Sequence, residues 1–154
     1  MRVGGNSLLG TVLAVAACGG GGAASQPAPV PSAEAAVRSF FQAVADSNIA
    51  RMATLWGTEK GSAASTGQPP DYEKRLVVTQ IYLRNAPFKL GKEQPVEGQP
   101  NRRRIEVELD RGQCKRQVPV VAVLAKDGWL VNQIDLNTAG SPTRPCAPLP
   151  ETQP

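Results

Sequence analysis

Histidine is absent from the 154-residue sequence, and only three cysteines are present. The absence of histidine removes the commonest general base and a frequent zinc ligand. No two cysteines have the Cys-x-x-Cys spacing of a metal motif. Ser62, Ser65 and Ser141 therefore have no basic partner that would make one of them a nucleophile. From these absences we expect no metal, no cofactor and no catalytic triad.

Charged residues are also scarce. They make up 19% of the chain, against 41% apolar residues, and this balance favours a folded core over disorder throughout. The formal net charge is only +4. Such a small excess of positive charge does not indicate nucleic acid as a partner.

Long apolar runs are missing as well. Residues 7–17 form a short apolar stretch that follows Met1-Arg2 and precedes Cys18. Its length is typical of the apolar region of a secretory signal and too short for a membrane-spanning helix. The stretch ends in Val15-Ala16-Ala17-Cys18, which reads as a bacterial lipobox. In such a motif the cysteine thiol carries a diacylglycerol, and two or three acyl chains anchor a protein stably.

We therefore predict an exported lipoprotein that is cleaved before Cys18 and lipidated there with acyl chains such as palmitate. Gly19 is not the aspartate that usually retains such proteins in the inner membrane. We expect a place in the cell envelope, at the outer membrane and facing the periplasm. A plain secretory signal with an incidental cysteine and a retained anchor helix are the alternatives.

Composition divides the chain into four parts. Residues 1–17 are the signal peptide, 18–31 a flexible Gly/Pro linker, 32–138 one domain and 139–154 a Pro-rich C-terminal tail. Cys114 and Cys146 remain after lipidation. In an oxidising envelope we expect them to form a disulfide that fixes the tail to the sheet. Two free thiols are the alternative.

Helical spacing dominates the first half of the domain. Ser32 is placed to cap a first helix, and the break at 46–48 is placed to cap a second helix that Gly57 ends. The polar segment 58–69 reads as a loop. A third helix begins at Pro70 or Asp71 and ends before Pro87.

After Pro87 the apolar residues alternate, which predicts strands over 88–90, 102–110, 114–124 and 129–136. A two-residue turn at Arg111-Gly112 places Glu108 opposite Lys115. Pro119 cannot donate a ladder hydrogen bond, so we expect a bulge at that position.

This order defines an α+β fold, with three N-terminal helices packed on a curved antiparallel sheet of about four strands. Two stretches also resemble a known family. Residues 37–57 contain paired Phe40-Phe41, then Asp-Ser-Asn, then Leu-Trp-Gly, and residues 127–134 read Asp-Gly-Trp-Leu-Val-Asn-Gln-Ile. Both stretches are similar to the nuclear transport factor 2-like superfamily, and the nearest likeness is to uncharacterised bacterial lipoproteins that carry this domain.

The resemblance implies a cone-shaped fold in which the sheet wraps around a helix and leaves an apolar pocket. The chain departs from the family pattern at 58–69, where the usual hairpin has no clear strand. We expect this segment to cover the mouth of the pocket.

The superfamily includes ketosteroid isomerases, which use a buried carboxylate base and a tyrosine on the first helix. An ungapped comparison places Phe40, which has no donor, at the position of that tyrosine. We interpret Glu106, Glu108 and Asp110 as residues of a solvated face, and Asp71 and Glu73 as favourable charges at a helix N-terminus. We therefore expect no enzyme and no catalytic residue, and a ketosteroid isomerase-like enzyme is the less favoured alternative.

The leading hypothesis is a non-catalytic module that binds a small apolar molecule or a peptide. The candidate pocket residues are the aromatic ones, and ordinary core packing is the alternative for each of them. They are Phe40, Phe41, Trp56, Tyr72 and Trp129.

The second hypothesis is a structural component of an envelope complex that forms a homodimer through its sheet face. An outward-facing apolar patch at Val121 and Val123 would mark that face. Basic residues also gather near one hairpin, and we interpret them as a solvated face partly neutralised by Glu106, Glu108 and Asp110. Contact with anionic headgroups is the alternative for this cluster, which comprises Arg102, Arg103, Arg104, Arg111, Lys115 and Arg116.

Overall fold

The computed structural model describes residues 28–149. The predicted signal peptide, the lipidation site Cys18 and most of the linker lie outside the described residues, as does the end of the tail. The elements in chain order are α1 (Ala33–Ala45), α2 (Ile49–Leu55), β1 (Gly57–Thr58), β2 (Gly61–Ser62), α3 (Ala63–Thr66), α4 (Tyr72–Leu83), β3 (Phe88–Val96), β4 (Gln99–Asp110), β5 (Lys115–Ala125) and β6 (Gly128–Ile134).

The first two helices begin at side-chain caps. The Ser32 hydroxyl accepts a hydrogen bond from the Ala35 N–H at 3.1 Å, and the Asn48 side-chain oxygen accepts one from the Arg51 N–H at 2.9 Å. Each cap satisfies a backbone donor that the first helical turn leaves free. The predicted starts of both helices are therefore confirmed, and α2 ends at Leu55 because Trp56 is already extended.

The segment 58–69 contains secondary structure that its sequence does not signal. β1 and β2 form a short hairpin, and the single-turn helix α3 follows it. The described residues therefore contain four helices, whereas three were predicted. A Cβ on Gly57 would come 2.2 Å from the Gly61 carbonyl oxygen, so this hairpin requires glycine where its two strands approach.

The four strands β3 to β6 form one antiparallel sheet in sequence order. The turn between β4 and β5 lies one residue later than predicted, at Gly112-Gln113, and Asp110 instead of Glu108 pairs with Lys115. The two-residue shift keeps each side chain on its expected face. The Lys115 ammonium still reaches the Glu108 carboxylate diagonally, at 2.7 Å.

Pro119 does not produce the expected bulge, because the β4–β5 register runs through it without a shift. The Pro119 carbonyl accepts a hydrogen bond from Asp135, so its backbone faces β6 and the β4 ladder needs no donor from it. The bulge in β5–β6 instead falls between Val121 and Ala122, and it leaves Asn132 as the extra residue on β6.

The core lies between the helices and one face of the sheet. Its largest fully buried side chains include Phe40, Met52, Leu76, Ile105 and Leu109. The outer edge of β6 is partly covered, because Val30 bridges to Gly128 and Trp56 bridges to Val131. No helix within residues 28–149 is long and apolar enough to cross a membrane.

Cys114 and Cys146 form a disulfide, with their Cα atoms 5.7 Å apart. Next to it, the Arg116 guanidinium donates hydrogen bonds to the backbone carbonyls of Pro145, at 2.8 Å, and Ala147. The described part of the tail is therefore held against the start of β5 by one covalent bond and one arginine.

Candidate functional site

The five aromatic residues predicted to line a pocket all belong to or pack against the core, but they do not share one groove. Phe40 and Phe41 are buried in the core, and the ring centroids of Phe41 and Phe88 are 5.3 Å apart. Tyr72 is half-buried against the same core. Trp56 and Trp129 line two separate grooves. Core packing therefore accounts for both phenylalanines, and the two tryptophans mark the surfaces to consider.

The first of these surfaces is a groove between α4 and the end of β6, which we call the α4–β6 groove. Its volume is about 720 Å³, within the range of small-molecule sites. The apolar lining comes from the α2–β1 junction, from α4 and from the chain that leaves β6. These apolar residues are Trp56, Val78, Ile134 and Leu136.

The wall that carries Trp56 is fixed by hydrogen bonds at the bulged residue Asn132. The Trp56 indole N–H donates to the Asn132 carbonyl at 3.2 Å, and the Asn132 amide donates to the Gly57 carbonyl at 2.7 Å. The Asn132 side-chain oxygen accepts from Arg102 at 3.0 Å, and Arg102 also pairs with Glu59 at 2.7 Å. The indole is therefore held in one orientation before any ligand arrives.

The rim of the α4–β6 groove carries both signs of charge. Asp71, the N-cap of α4, and Arg75 form an ion pair at 3.0 Å, and Lys74 also lines the groove. On the opposite wall, Asp135 accepts a hydrogen bond from the Asn137 N–H at 3.1 Å. An apolar floor with separate polar groups at its rim fits a ligand that has an apolar part and polar ends.

The second surface is a groove of about 940 Å³ beside residues 28–31, which we call the N-terminal groove. Its walls come from α1, α2, the β2–α3 segment and the β5–β6 hairpin. Trp129 lines it, and the Arg103 guanidinium lies 5.5 Å from the centroid of the Trp129 ring. Arg103 thus already forms a cation–π contact with the Trp129 ring within the domain.

No carboxylate within residues 28–149 is buried, and the buried polar side chain found there is Gln80, which donates to the Ser47 hydroxyl at 3.0 Å. The hydrogen bond from Lys115 lowers the pKa of Glu108, whose side chain is partly exposed on the sheet. The pKa of Glu59 is lowered first by its own backbone N–H and then by Arg102. Both shifts keep these groups ionised, which is opposite to the raised pKa of a buried general base.

The basic cluster near the β4–β5 hairpin is largely engaged within the domain. Arg111 donates to the backbone carbonyls of Tyr82 and, at 3.1 Å, Arg84, which end α4. It also donates to the Ala139 carbonyl at 3.4 Å. Burial, followed by the nearby charge of Arg116, lowers the pKa of Arg111. Its main contacts are therefore structural.

The sheet face does not expose the predicted apolar patch, because Val123 is fully buried and Val121 is half-buried. The exposed aliphatic residues of the helices lie on α4 instead. Val77, Val78 and Ile81 are 43%, 47% and 36% exposed. When apolar residues occupy two faces of a helix, the helix has low amphipathicity. The low amphipathicity of α4 is therefore the sequence feature that indicates a second apolar face.

Comparison with known proteins adds no family assignment. The chain matches no protein-family model and has no significant match among curated proteins.

Proposed function

We propose that this chain is a lipid-anchored lipoprotein of the bacterial cell envelope whose domain binds a small amphiphilic molecule or a peptide in the α4–β6 groove. The domain is proposed to be a nuclear transport factor 2-like cone, attached through Cys18 to the outer membrane and facing the periplasm. The observation that carries the binding function is the Trp56 wall, which is held by hydrogen bonds at Asn132 and lines the same groove as the exposed Val78 side chain.

Two features support an envelope location. The lipobox-like sequence 15–18 ends a stretch that is too short to span a bilayer, and it precedes the Gly/Pro-rich linker sequence 18–31. The Cys114–Cys146 disulfide fits an oxidising compartment. An acyl anchor with such a linker leaves the domain free to face the periplasm.

A non-catalytic function is supported by the chemistry of the groove. Asp71 is paired with Arg75, and Asp135 is engaged with a backbone N–H of its own loop. Both carboxylates line the open groove, and each is already engaged by a group of the domain itself. The large apolar side chains of the lining, which include Trp56, Val78 and Ile134, supply apolar contact instead of acid–base groups.

The anchor is tested by the mass of the N-terminal peptide. The full chain is expressed in a bacterial host, isolated from the membrane fraction and compared with Cys18→Ser. We expect the wild-type peptide to begin at Cys18 and to carry two or three acyl chains, and we expect Cys18→Ser to carry none. An unmodified Cys18, or a peptide that still includes residues 1–17, would contradict the lipoprotein assignment.

The groove is tested by native mass spectrometry of the full chain purified from the same membranes. Val78 and Val77 are adjacent and similarly exposed, but only Val78 lines the α4–β6 groove. We expect a small mass to copurify with wild type and with Val77→Arg, and to be lost from Val78→Arg. If the copurifying mass is absent from wild type, or if Val78→Arg retains it, the groove is not the binding site.

A further inference from the structure

The face of α4 that points away from both the core and the α4–β6 groove carries a stripe of four residues. Glu73, Val77, Ile81 and Arg84 follow one another at intervals of four, four and three positions, which places them along one side of the helix. All four are exposed. The buried side of α4 is formed by other residues, Leu76, Gln80 and Leu83.

The order of the side chains along the stripe is informative. An acid stands at the start of α4, two aliphatic residues occupy the middle, and a base stands just beyond the end. Val77 and Ile81 are two of the few large aliphatic residues exposed within residues 28–149. The salt bridges among the described residues involve neither Glu73 nor Arg84. Glu73 accepts only a long hydrogen bond from the Tyr72 hydroxyl, at 3.4 Å. The stripe thus offers two charges without an ion-pair partner in residues 28–149, one at each end of an apolar centre.

We propose that this stripe is a homodimer interface, in which α4 packs antiparallel against α4 of a second copy of the chain. In that arrangement Val77 lies against Ile81 of the other copy. The two-fold axis then sets Glu73 almost level with Arg84 of the other copy. The offset between them along the helix axis is one residue, or about 1.5 Å. A parallel arrangement would instead set acid against acid and base against base, so the charges select the antiparallel one.

The choice of a second copy follows from this self-complementarity. An isologous contact must match its own surface, and the sequence acid–apolar–apolar–base does so only when reversed. The contact is small, below the standard size of a stable interface, so we expect a weak dimer. Tethering on one membrane surface raises the effective concentration of such a pair. The groove lies on the adjacent side of α4, through Lys74, Val78 and Thr79, and stays open in the dimer.

The test is sedimentation equilibrium of the full chain in density-matched detergent, with circular dichroism to check folding. We expect a reversible dimer whose Kd rises at least tenfold in Val77→Asp. The matched control Val78→Asp, on the groove side, leaves Kd nearly unchanged. Glu73→Arg weakens the dimer, and the double variant Glu73→Arg/Arg84→Glu restores it.

The double variant separates association from folding. Each reversed charge opposes the helix dipole of α4, so the double variant is less stable as a monomer than either single variant. Recovery of the dimer in that less stable protein can come only from charge pairing between copies. A monomeric wild type up to about 1 mM, equal effects of Val77→Asp and Val78→Asp, or no recovery in the double variant would each overturn the proposal. None of these outcomes depends on ligand binding in the groove.

Discussion

Replacing Arg111 by methionine tests how far the basic cluster is used for structure. The guanidinium donates to the carbonyls of Tyr82, Arg84 and Ala139, and so joins the end of α4 to the tail. Methionine keeps much of the aliphatic stem, so the loss falls mainly on these hydrogen bonds. Without the arginine, the last carbonyls of α4 also lose a favourable charge.

The magnitude follows from the three bonds. Hydrogen bonds from a charged donor contribute about 1.5–3 kcal/mol each. The Arg84 carbonyl is exposed and the Ala139 bond is long, at 3.4 Å, so the three together are expected to contribute about 3–4 kcal/mol. The Arg111 Nε is buried without a partner, and removing it returns about 1 kcal/mol. We expect a net loss of about 2–3 kcal/mol and a Tm lower by roughly 10 °C.

The assay is urea unfolding at pH 7, with Arg104→Met as the matched control. Arg104 forms an exposed ion pair with Glu106 at 2.8 Å, and its loss is expected to cost less than about 1 kcal/mol. A loss for Arg111→Met below about 1 kcal/mol, or equal to that of the control, would refute the structural role of Arg111.

Four further changes have expected outcomes. Phe40→Ala removes a fully buried ring and lowers the free energy of unfolding by about 3–5 kcal/mol in urea titrations. Cys114→Ser/Cys146→Ser opens a loop with a sequence separation of 32 and costs about 3–4 kcal/mol by the same method. Gly128→Ala strains a residue with φ +115 and brings its Cβ to 2.6 Å from a backbone nitrogen of the entering chain, so amide exchange at the start of β6 accelerates. Glu59→Gln removes less than about 1 kcal/mol at neutral pH, because the ion pair it breaks is half-exposed.

The difference in stability between wild type and Glu59→Gln is expected to depend on pH. The pKa of Glu59 is lowered from 4.5 in the folded protein, so its contribution is present above that pH and is lost as the pH falls through the folded value. Wild type is therefore more stable than the variant above about pH 4.5, and the two converge in acid. Thermal melts from pH 2 to 7 measure this difference, and a gap that widens in acid would contradict it.

The three longer helices and strands β4 to β6 were largely predictable, because repeating patterns specify them. Strand β3 was predicted over 88–90 but extends to Val96, and its second half was missed because it carries no apolar alternation. Ser32 caps α1 as predicted, and the alternation in β4 and β5 places Ile105, Val107 and Val120 in the core. The β1–β2 hairpin was missed, since strands of two residues are too short for any period to be visible. The turn at Gly112 was misplaced by one residue, because neighbouring positions there satisfy the same turn chemistry.

The candidate site was harder to predict from the sequence. Aromatic residues indicate either a core or a pocket, and only packing decides between them. Phe40 and Phe41 turned out to be core residues. The α4–β6 groove combines Trp56, Val78 and Leu136, which are far apart in the chain and belong to no shared pattern. Its fixed wall also depends on the bulge at Asn132, which has no turn residue to signal it.

The most direct test of the proposed binding function uses the two tryptophans of the chain, since each lines a different groove. In Trp129→Phe, the remaining Trp56 reports on the α4–β6 groove, and in Trp56→Phe the remaining Trp129 reports on the N-terminal groove. The full chain is isolated from bacterial membranes, and acrylamide quenching of fluorescence is measured before and after unfolding in urea, dialysis and refolding. The account predicts that Trp56 becomes more accessible to acrylamide once bound molecules are removed, while Trp129 is unchanged. Unchanged quenching of Trp56, or a change confined to Trp129, would contradict it.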